Sequence, residues 1–126
     1  MFNQGDILLI PLPFTDLTAN KKRPVLVLSK QSYNSMADDL IVAAITSNVD
    51  SKPYVIKFAN TDMTAGTLVT ESCVRADKIY TLSQDIVVKR FGKVSDAIVQ
   101  KVKDAIMCIM DESVVNNSLH SNRCDQ

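Results

Sequence analysis

Short apolar runs, each bounded by turn-forming residues such as Gly, Pro, Asn and Ser, fill the first two-thirds of the chain. Dense apolar runs of this length are typical of β-strands. About five or six such strands predict a mainly β domain, in which closure of a small antiparallel barrel protects the strand edges. The runs are Ile7–Pro11, Val25–Leu28, Leu40–Ile45, Tyr54–Phe58 and a longer one that opens at Gly66 and continues through Cys73 to Ile79.

One segment near the end of the chain has helical periodicity. The hydroxyl of Ser95 suits the N-cap, and the helix is predicted to end at about Asp111. Apolar side chains fall on one face, so the amphipathic helix is expected to pack on the barrel and cover its open side. A shorter helical turn is predicted within residues 31–36. The apolar positions of the long helix are Ile98, Val99, Val102, Ala105, Ile106 and Ile109.

The 126 residues, 46% of them hydrophobic and 22% charged, are enough for one domain with its own core. We assign residues 1–112 to this domain. Residues 113–126 are mostly polar and lack periodicity, which predicts a disordered C-terminal tail. The N-terminus does not resemble a signal segment, and no run approaches the ~18 apolar residues of a membrane span. We therefore expect a cytoplasmic protein without membrane contact.

The composition argues against several kinds of catalytic, metal-binding and phosphate-binding site. The formal net charge is zero, so a nucleic-acid site has to be a local basic cluster. His120 is the single histidine, which excludes an acid–base pair of two histidines within one subunit. The acidic residues and the three cysteines lack the spacing of a metal site, and the three glycines form no phosphate-binding loop. No metal or other cofactor is therefore expected.

A few polar residues at or near strand ends remain as candidates for chemistry. A proline follows Arg23 and holds it in an extended conformation at a strand edge, where it is either a site residue or a surface arginine over an apolar strand. Hydroxyls that end a strand, as in Thr46 and Ser47, often only cap the turn. Arg75 and Asp77 are predicted to share a face, either in a site or as a surface ion pair.

Four blocks of the sequence resemble the MazF/PemK family, the mRNA-cleaving toxins of bacterial toxin–antitoxin pairs. The blocks stand in the family's order and at similar spacing, over roughly residues 4–82. The resemblance implies the SH3-like antiparallel barrel that this family shares with the gyrase poison CcdB. It also implies sequence-selective cleavage of single-stranded RNA. The blocks are Gly5–Asp16, Lys22–Ser29, Asp39–Ser47, and the set Gly66, Leu68, Ser72, Val74, Arg75 and Asp77.

The resemblance further implies catalytic residues and partners. In the family, the arginine before the proline and the threonine that ends the third strand are catalytic, which carries onto Arg23 and Thr46. In the PemK/Kid branch an Arg-x-Asp also takes part, which carries onto Arg75 and Asp77. Family members typically form homodimers whose groove binds RNA, or the C-terminal segment of the cognate antitoxin in its place. Operator DNA is expected to bind only through the antitoxin complex.

These residues suit a metal-free transesterification, in which the 2′-hydroxyl of RNA attacks the adjacent phosphorus. The products are a 2′,3′-cyclic phosphate and a 5′-hydroxyl end. Arginine stays protonated at neutral pH, so Arg23 and Arg75 are expected to stabilise the phosphorane rather than act as the base. Asp77 is the candidate general base. Thr46 and Ser47 are expected to hydrogen-bond the scissile phosphate.

The loop after the first strand is expected to bind the RNA backbone. It runs from Thr15 to Lys21, and Lys21 and Lys22 supply positive charge at its end. Phe14 and Tyr33 are candidates for stacking a splayed base, although core packing is the alternative for Phe14.

The chain departs from the family pattern in three places, and two other functions stay open. No histidine is available in the first loop, Tyr80 stands where many relatives have Arg, and the tail after Asp111 has no counterpart. One alternative function is that of a CcdB-like gyrase inhibitor, although such toxins act through a C-terminal Trp-Gly-Ile and this chain has no Trp. The other is a non-catalytic SH3-like module that binds RNA or a peptide.

Overall fold

A computed structural model describes residues 1–11, 22–48 and 53–113. Within these ranges the chain forms seven strands and two α-helices, with short 3-10 turns at Asn60–Asp62 and Gln84–Ile86. The strands are β1 (Asp6–Ile10), β2 (Arg23–Val27), β3 (Asp39–Thr46), β4 (Val55–Phe58), β5 (Met63–Ala65), β6 (Ser72–Ser83) and β7 (Lys89–Val94). The helices are α1 (Gln31–Asn34) and α2 (Asp96–Met110).

All seven strands pair antiparallel in one curled sheet, in the order β4-β6-β3-β2-β1-β7-β5. Side chains alternate between two apolar faces, so Ile7 packs in one core cluster and the adjacent Leu8 in the other. Helix α2 packs on the cluster that contains Ile7. The predicted mainly β, SH3-like fold with a C-terminal helix is confirmed, with seven strands instead of five or six. Within the described residues the sheet curls into a half-barrel with β4 and β5 at its two edges, rather than into the fully closed barrel that the sequence predicts.

Helix α2 lies within one residue of its predicted bounds. Ser95 is the N-cap, and its Oγ accepts a hydrogen bond from the backbone N–H of Ile98 at 3.4 Å. The buried positions end at Ala105, and Ile109 is 42% exposed. The expectation that Ile109 packs on the sheet is wrong, because the last turn of the helix lies beyond its buried part. Within the described residues, neither helix is long and apolar enough to cross a membrane.

The prediction of one continuous strand from Gly66 to Ile79 is wrong at its start. β5 ends just before Gly66, and residues 66–71 belong to no strand. Gly66 has a φ of +80°, and a Cβ built on it would lie 2.5 Å from the carbonyl oxygen of Phe91 in β7. The chain therefore turns away from β7 at Gly66, where only glycine fits without strain.

A buried carboxylate joins β1 to β7, a strand that has no clear signature in the hydrophobic pattern. Asp6 is 2% exposed, and its Oδ2 accepts a hydrogen bond from the backbone N–H of Asn3 at 2.8 Å. The same Oδ2 lies 3.0 Å from Nε of Arg90. Arg90 also donates through Nη2 to the carbonyl oxygen of Met1 at 2.6 Å. The Gly5-Asp6 step of the sequence is therefore structural.

We expect Asp6→Ala to lower the free energy of unfolding by about 1–3 kcal/mol, since it leaves the N–H of Asn3 without its acceptor and Arg90 without its counter-charge. Urea unfolding at neutral pH measures this change. Asp38→Ala is the control, because Asp38 is exposed and should change stability by less than about 0.5 kcal/mol. Equal stability losses in the two variants would contradict the assignment of Asp6 as a structural anchor.

Candidate nucleic-acid interface

A cavity of about 480 Å³ is bordered by residues of β1, β2, β3 and β6 and by the segment that follows Gly66. Part of its wall is apolar and includes Leu9, Pro24, Leu68 and Phe91. Among the described residues, no Asp or Glu lines it. The charged and hydroxyl-bearing residues that line it are Lys22, Arg23, Thr46, Ser47, Thr70, Ser72, Arg75, Lys78 and Tyr80.

The register of the sheet brings Arg23, Thr46 and Arg75 to one face. Val25 pairs with Ala44, and Ala44 pairs with Arg75, so these three residues share a face. Arg23 stands two residues before Val25, and Thr46 stands two residues after Ala44. Because side chains alternate along a strand, Arg23 and Thr46 fall on the same face as Arg75. Residues from three separate strands therefore converge at the cavity.

Arg23 is the first residue of β2 and is exposed. It pairs with Ile10 of β1, and the following Pro24 pairs with Leu9, so the backbone that carries the arginine is held in the sheet. Within ranges 1–11, 22–48 and 53–113, the side chain of Arg23 has no hydrogen bond or ion pair. A guanidinium group on a fixed backbone, with its donors free among these residues, suits an anionic ligand.

Thr46 is the last residue of β3 and is partly buried. Its Oγ1 accepts a hydrogen bond from the backbone N–H of Asn48 at 3.1 Å, so the turn-capping contact expected of such a hydroxyl is present. A threonine hydroxyl both accepts and donates, and its hydrogen stays available to an anion in the cavity.

Arg75 and Asp77 form a bidentate ion pair on β6. Nε of Arg75 donates to Oδ1 of Asp77 at 2.9 Å, and Nη2 donates to Oδ2 at 2.8 Å. The hydrogen bond from Arg75 lowers the pKa of Asp77 below its ordinary value, and it outweighs the opposing effect of burial. The same hydrogen bond raises the pKa of Arg75. Both groups are therefore ionised at neutral pH, and Asp77 fixes the orientation of a guanidinium that lines the cavity.

The structure places most of the predicted site residues together. Asp77 does not line the cavity but binds Arg75, which does. Tyr33, the second stacking candidate, lies on α1 and does not line it. The predicted residues that line the cavity are Lys22, Arg23, Thr46, Ser47 and Arg75. The predicted RNA-binding residues Phe14, Thr15 and Lys21, and tail residues 114–126, lie outside the described ranges.

Lys78 and Tyr80 also line the cavity. Tyr80 stands out in the sequence as a departure from the family pattern, whereas Lys78 carries no such signal. Its position depends on an irregularity in the pairing of β3 with β6, where the register shifts between Ala43 and Ala44. Register shifts of this kind arise from long-range pairing and leave no local mark in the sequence.

The cavity is lined by positively charged groups, by hydroxyl groups and by apolar side chains. Single-stranded nucleic acid offers matching chemistry, since its phosphates take charge-assisted hydrogen bonds and its unstacked bases take apolar contacts. Within the described residues, no group of three or more His, Cys, Asp or Glu side chains is placed to hold a metal ion.

Among the described residues, the curled antiparallel sheet, the C-terminal helix and the cationic cavity define a small, mainly β protein with a site suited to an anionic ligand. The chain belongs to the PemK-like, MazF-like toxin family of type II toxin–antitoxin systems, which it matches over residues 3–110. The family inferred from the four sequence blocks is thus confirmed. MazF-family toxins are endoribonucleases.

Several solved structures share the fold. An endoribonuclease from a mycobacterial species, in complex with its cognate antitoxin, has a TM-score of 0.70 and 21% identity, over 89% of this chain and 97% of that one. The Mycobacterium tuberculosis toxin MazF-mt6 has a TM-score of 0.68 and 22% identity, over 84% and 96%. A MazE–MazF structure from Deinococcus radiodurans has a TM-score of 0.70 and 16% identity, over 87% and 95%. No curated protein sequence matches the chain.

Proposed function

We propose that this chain is a sequence-selective, metal-independent endoribonuclease that cleaves single-stranded mRNA, and that it is the toxin of a toxin–antitoxin pair in the cytoplasm. The observation that carries the proposal is the convergence of Arg23, Thr46 and Arg75 from three strands on one cavity. Membership of the MazF-like family supports the reaction class. The donor set supports a mechanism without a metal, since the described residues that line the cavity are cationic, hydroxyl-bearing or apolar.

In this mechanism the arginines supply most of the catalysis. The scissile phosphate binds between Arg23 and Arg75, whose donors meet the non-bridging oxygens as negative charge grows in the phosphorane. Thr46 donates its hydroxyl hydrogen to the same phosphate, and Ser47 adds a second hydroxyl. These contacts hold the 2′-oxygen, the phosphorus and the leaving 5′-oxygen in line. Arg75 also donates a hydrogen bond to the leaving 5′-oxygen, which takes its proton from solvent water to give the 5′-hydroxyl end.

Asp77 has two tasks in this proposal. It holds the guanidinium of Arg75 in position and, from beside the cavity that Arg75 lines, it acts as the general base for the 2′-hydroxyl of bound RNA. Each carboxylate oxygen accepts one bond from Arg75 and retains a further lone pair. The lowered pKa of Asp77 makes the carboxylate a weak base. For this reason we assign the larger part of the rate enhancement to charge stabilisation by the arginines.

The proposed partners are the RNA substrate, a cognate antitoxin and a second copy of the chain. The mycobacterial endoribonuclease with its cognate antitoxin and the MazE–MazF structure share this fold, which supports an antitoxin partner. A homodimer, an antitoxin segment that occupies the RNA groove, and contact with operator DNA only through the antitoxin complex are expected by family resemblance.

Incubation of the purified chain with a long single-stranded RNA tests this function. We expect discrete fragments whose ends share a short sequence. Intact RNA, together with inhibited supercoiling by DNA gyrase, would favour the CcdB-like alternative. Intact RNA that is nevertheless bound would favour the non-catalytic module.

The pH profile of cleavage tests the role of Asp77. Its pKa lies below the ordinary value of 3.8, so the carboxylate stays ionised until the pH falls through that lowered value. We therefore expect a cleavage rate without an acid limb between about pH 5 and pH 8, the range in which histidine titrates. The stability that the ion pair contributes is likewise fully present above pH 3.8 and is lost as the pH falls from there through the lowered pKa. A loss of activity with a midpoint near pH 6.5 would assign the base to another group.

A further inference from the structure

β6 contains a bulge with three more residues than the facing part of β3, and the three residues lie in different surroundings. Ala43 and Ala44 are adjacent in β3, yet they pair with Ile79 and Arg75, which lie four residues apart in β6. The extra residues are Ala76, Asp77 and Lys78. Regular antiparallel pairing would leave no such excess, so the segment forms an enlarged bulge at the cavity.

Two of the three extra residues have a clear structural task. Ala76 is 1% exposed in the core, and its N–H donates to the carbonyl oxygen of Tyr54 at 3.1 Å. Tyr54 holds that position with a φ of 63°, a conformation that is costly for a bulky residue. Both carboxylate oxygens of Asp77 accept hydrogen bonds from the guanidinium of Arg75. The bulge is thus fixed from both sides, and its third residue is Lys78.

Lys78 is exposed and lines the cavity with three other cations, Lys22, Arg23 and Arg75. Each carboxylate oxygen of Asp77 accepts a hydrogen bond from Arg75, and among the described residues Lys78 forms no ion pair. Its ammonium is close enough to Asp77 to help lower the pKa of that carboxyl. Among the described residues, the bulge therefore presents a positive charge without an ion-pair partner at the cavity of a chain whose net charge is zero.

We propose that Lys78 binds a phosphate of single-stranded RNA next to the scissile one, which rests on the proposed ribonuclease function. A flexible lysine is a compact point charge that suits a ground-state backbone contact, whereas a rigid arginine fork suits the developing phosphorane. Lys78 accordingly raises RNA affinity at low salt and takes no part in the chemical step. The contact is independent of base sequence.

The salt dependence of RNA binding tests this proposal. The probe is a fluorescent single-stranded RNA pool of randomised sequence with 2′-O-methyl groups, which keep every phosphate and block attack. For Lys78→Met we expect affinity about three- to tenfold lower at low salt, and a slope of log K against log salt that is smaller by about 0.7. Lys78→Arg should restore the wild-type slope. Lys101→Met, which removes an exposed charge from α2, is the matched control and should leave the slope unchanged.

Kinetics on unmodified RNA provide the second measurement. Lys78→Met should raise KM by a similar factor and leave kcat near the wild-type value, because the contact is the same in the ground and transition states. A wild-type salt slope in Lys78→Met, or a fall in kcat with unchanged KM, would overturn the assignment of Lys78. Cleavage of RNA by the wild-type chain would still support the proposed function in that case. A wild-type chain that neither binds nor cuts RNA would overturn both.

Discussion

Arg23→Ala should reduce RNA cleavage by about 10²- to 10³-fold, the loss seen when one donor to a developing negative charge is removed from an active site. The side chain is exposed and, among the described residues, without a partner, so its removal should change the free energy of unfolding by less than about 0.5 kcal/mol. Single-turnover cleavage and urea unfolding of the same preparation measure the two quantities. The result would separate catalysis from stability at this position.

Two further variants sharpen that experiment. Arg23→Lys keeps the positive charge but loses the planar fork, so its cleavage rate should lie between those of the wild type and Arg23→Ala. Lys101→Ala removes an exposed charge from α2, outside the cavity, and should cleave at the wild-type rate. Wild-type cleavage by a folded Arg23→Ala would remove Arg23 from the mechanism.

Gly66→Ala should lower the free energy of unfolding by about 2–4 kcal/mol, because two costs add at this position. An alanine at a φ of +80° adopts the left-handed conformation. Its Cβ would also lie 2.5 Å from the carbonyl oxygen of Phe91 and 2.9 Å from Cα of Gly92, both of which belong to the backbone of β7. The pairing of β5 with β7 has to shift to relieve these contacts. Urea or thermal unfolding measures the loss.

Gly5→Ala is the matched control for Gly66→Ala. Gly5 has a φ of +94°, but the nearest atom to its added Cβ is the side-chain Cγ2 of Val99 at 3.2 Å, a contact that a shift of a few tenths of an ångström relieves. This control should report mainly the conformational cost, about 1–2 kcal/mol. Equal losses in the two variants would show that the backbone contact with β7 contributes nothing.

Local patterns were sufficient for much of the fold. Apolar runs identify β1 to β3, and the spacing of Ile98, Val99 and Val102 identifies α2 together with its Ser95 cap. The hydrophobic pattern does not reveal β7, because its first residues are basic and its place in the sheet depends on the pair between Asp6 and Arg90. The end of β5 before Gly66 could not be predicted from local patterns either, because it depends on the close approach of β7, which is distant in the sequence.

The candidate site, like the fold, could be predicted from the sequence only in part. The family pattern predicts that Arg23, Thr46 and Arg75 act together, and the alternation of side chains along paired strands brings them to one cavity. The position of Lys78 at the cavity could not be predicted from the sequence, because it depends on the bulge in β6. The bulge in turn depends on the pairing of β6 with β3 and on the hydrogen bond to the carbonyl oxygen of Tyr54. Whether Asp77 would be a stronger or weaker base also depended on geometry, and the bond from Arg75 lowers its pKa.

The chemistry of the fragment ends, determined after the purified chain has been incubated with single-stranded RNA in EDTA, distinguishes metal-free transesterification from metal-dependent hydrolysis. We expect 2′,3′-cyclic phosphate and 5′-hydroxyl ends, formed as fast in EDTA as in the presence of a divalent metal. Fragments with 5′-phosphate and 3′-hydroxyl ends, or cleavage that EDTA abolishes, would contradict this mechanism.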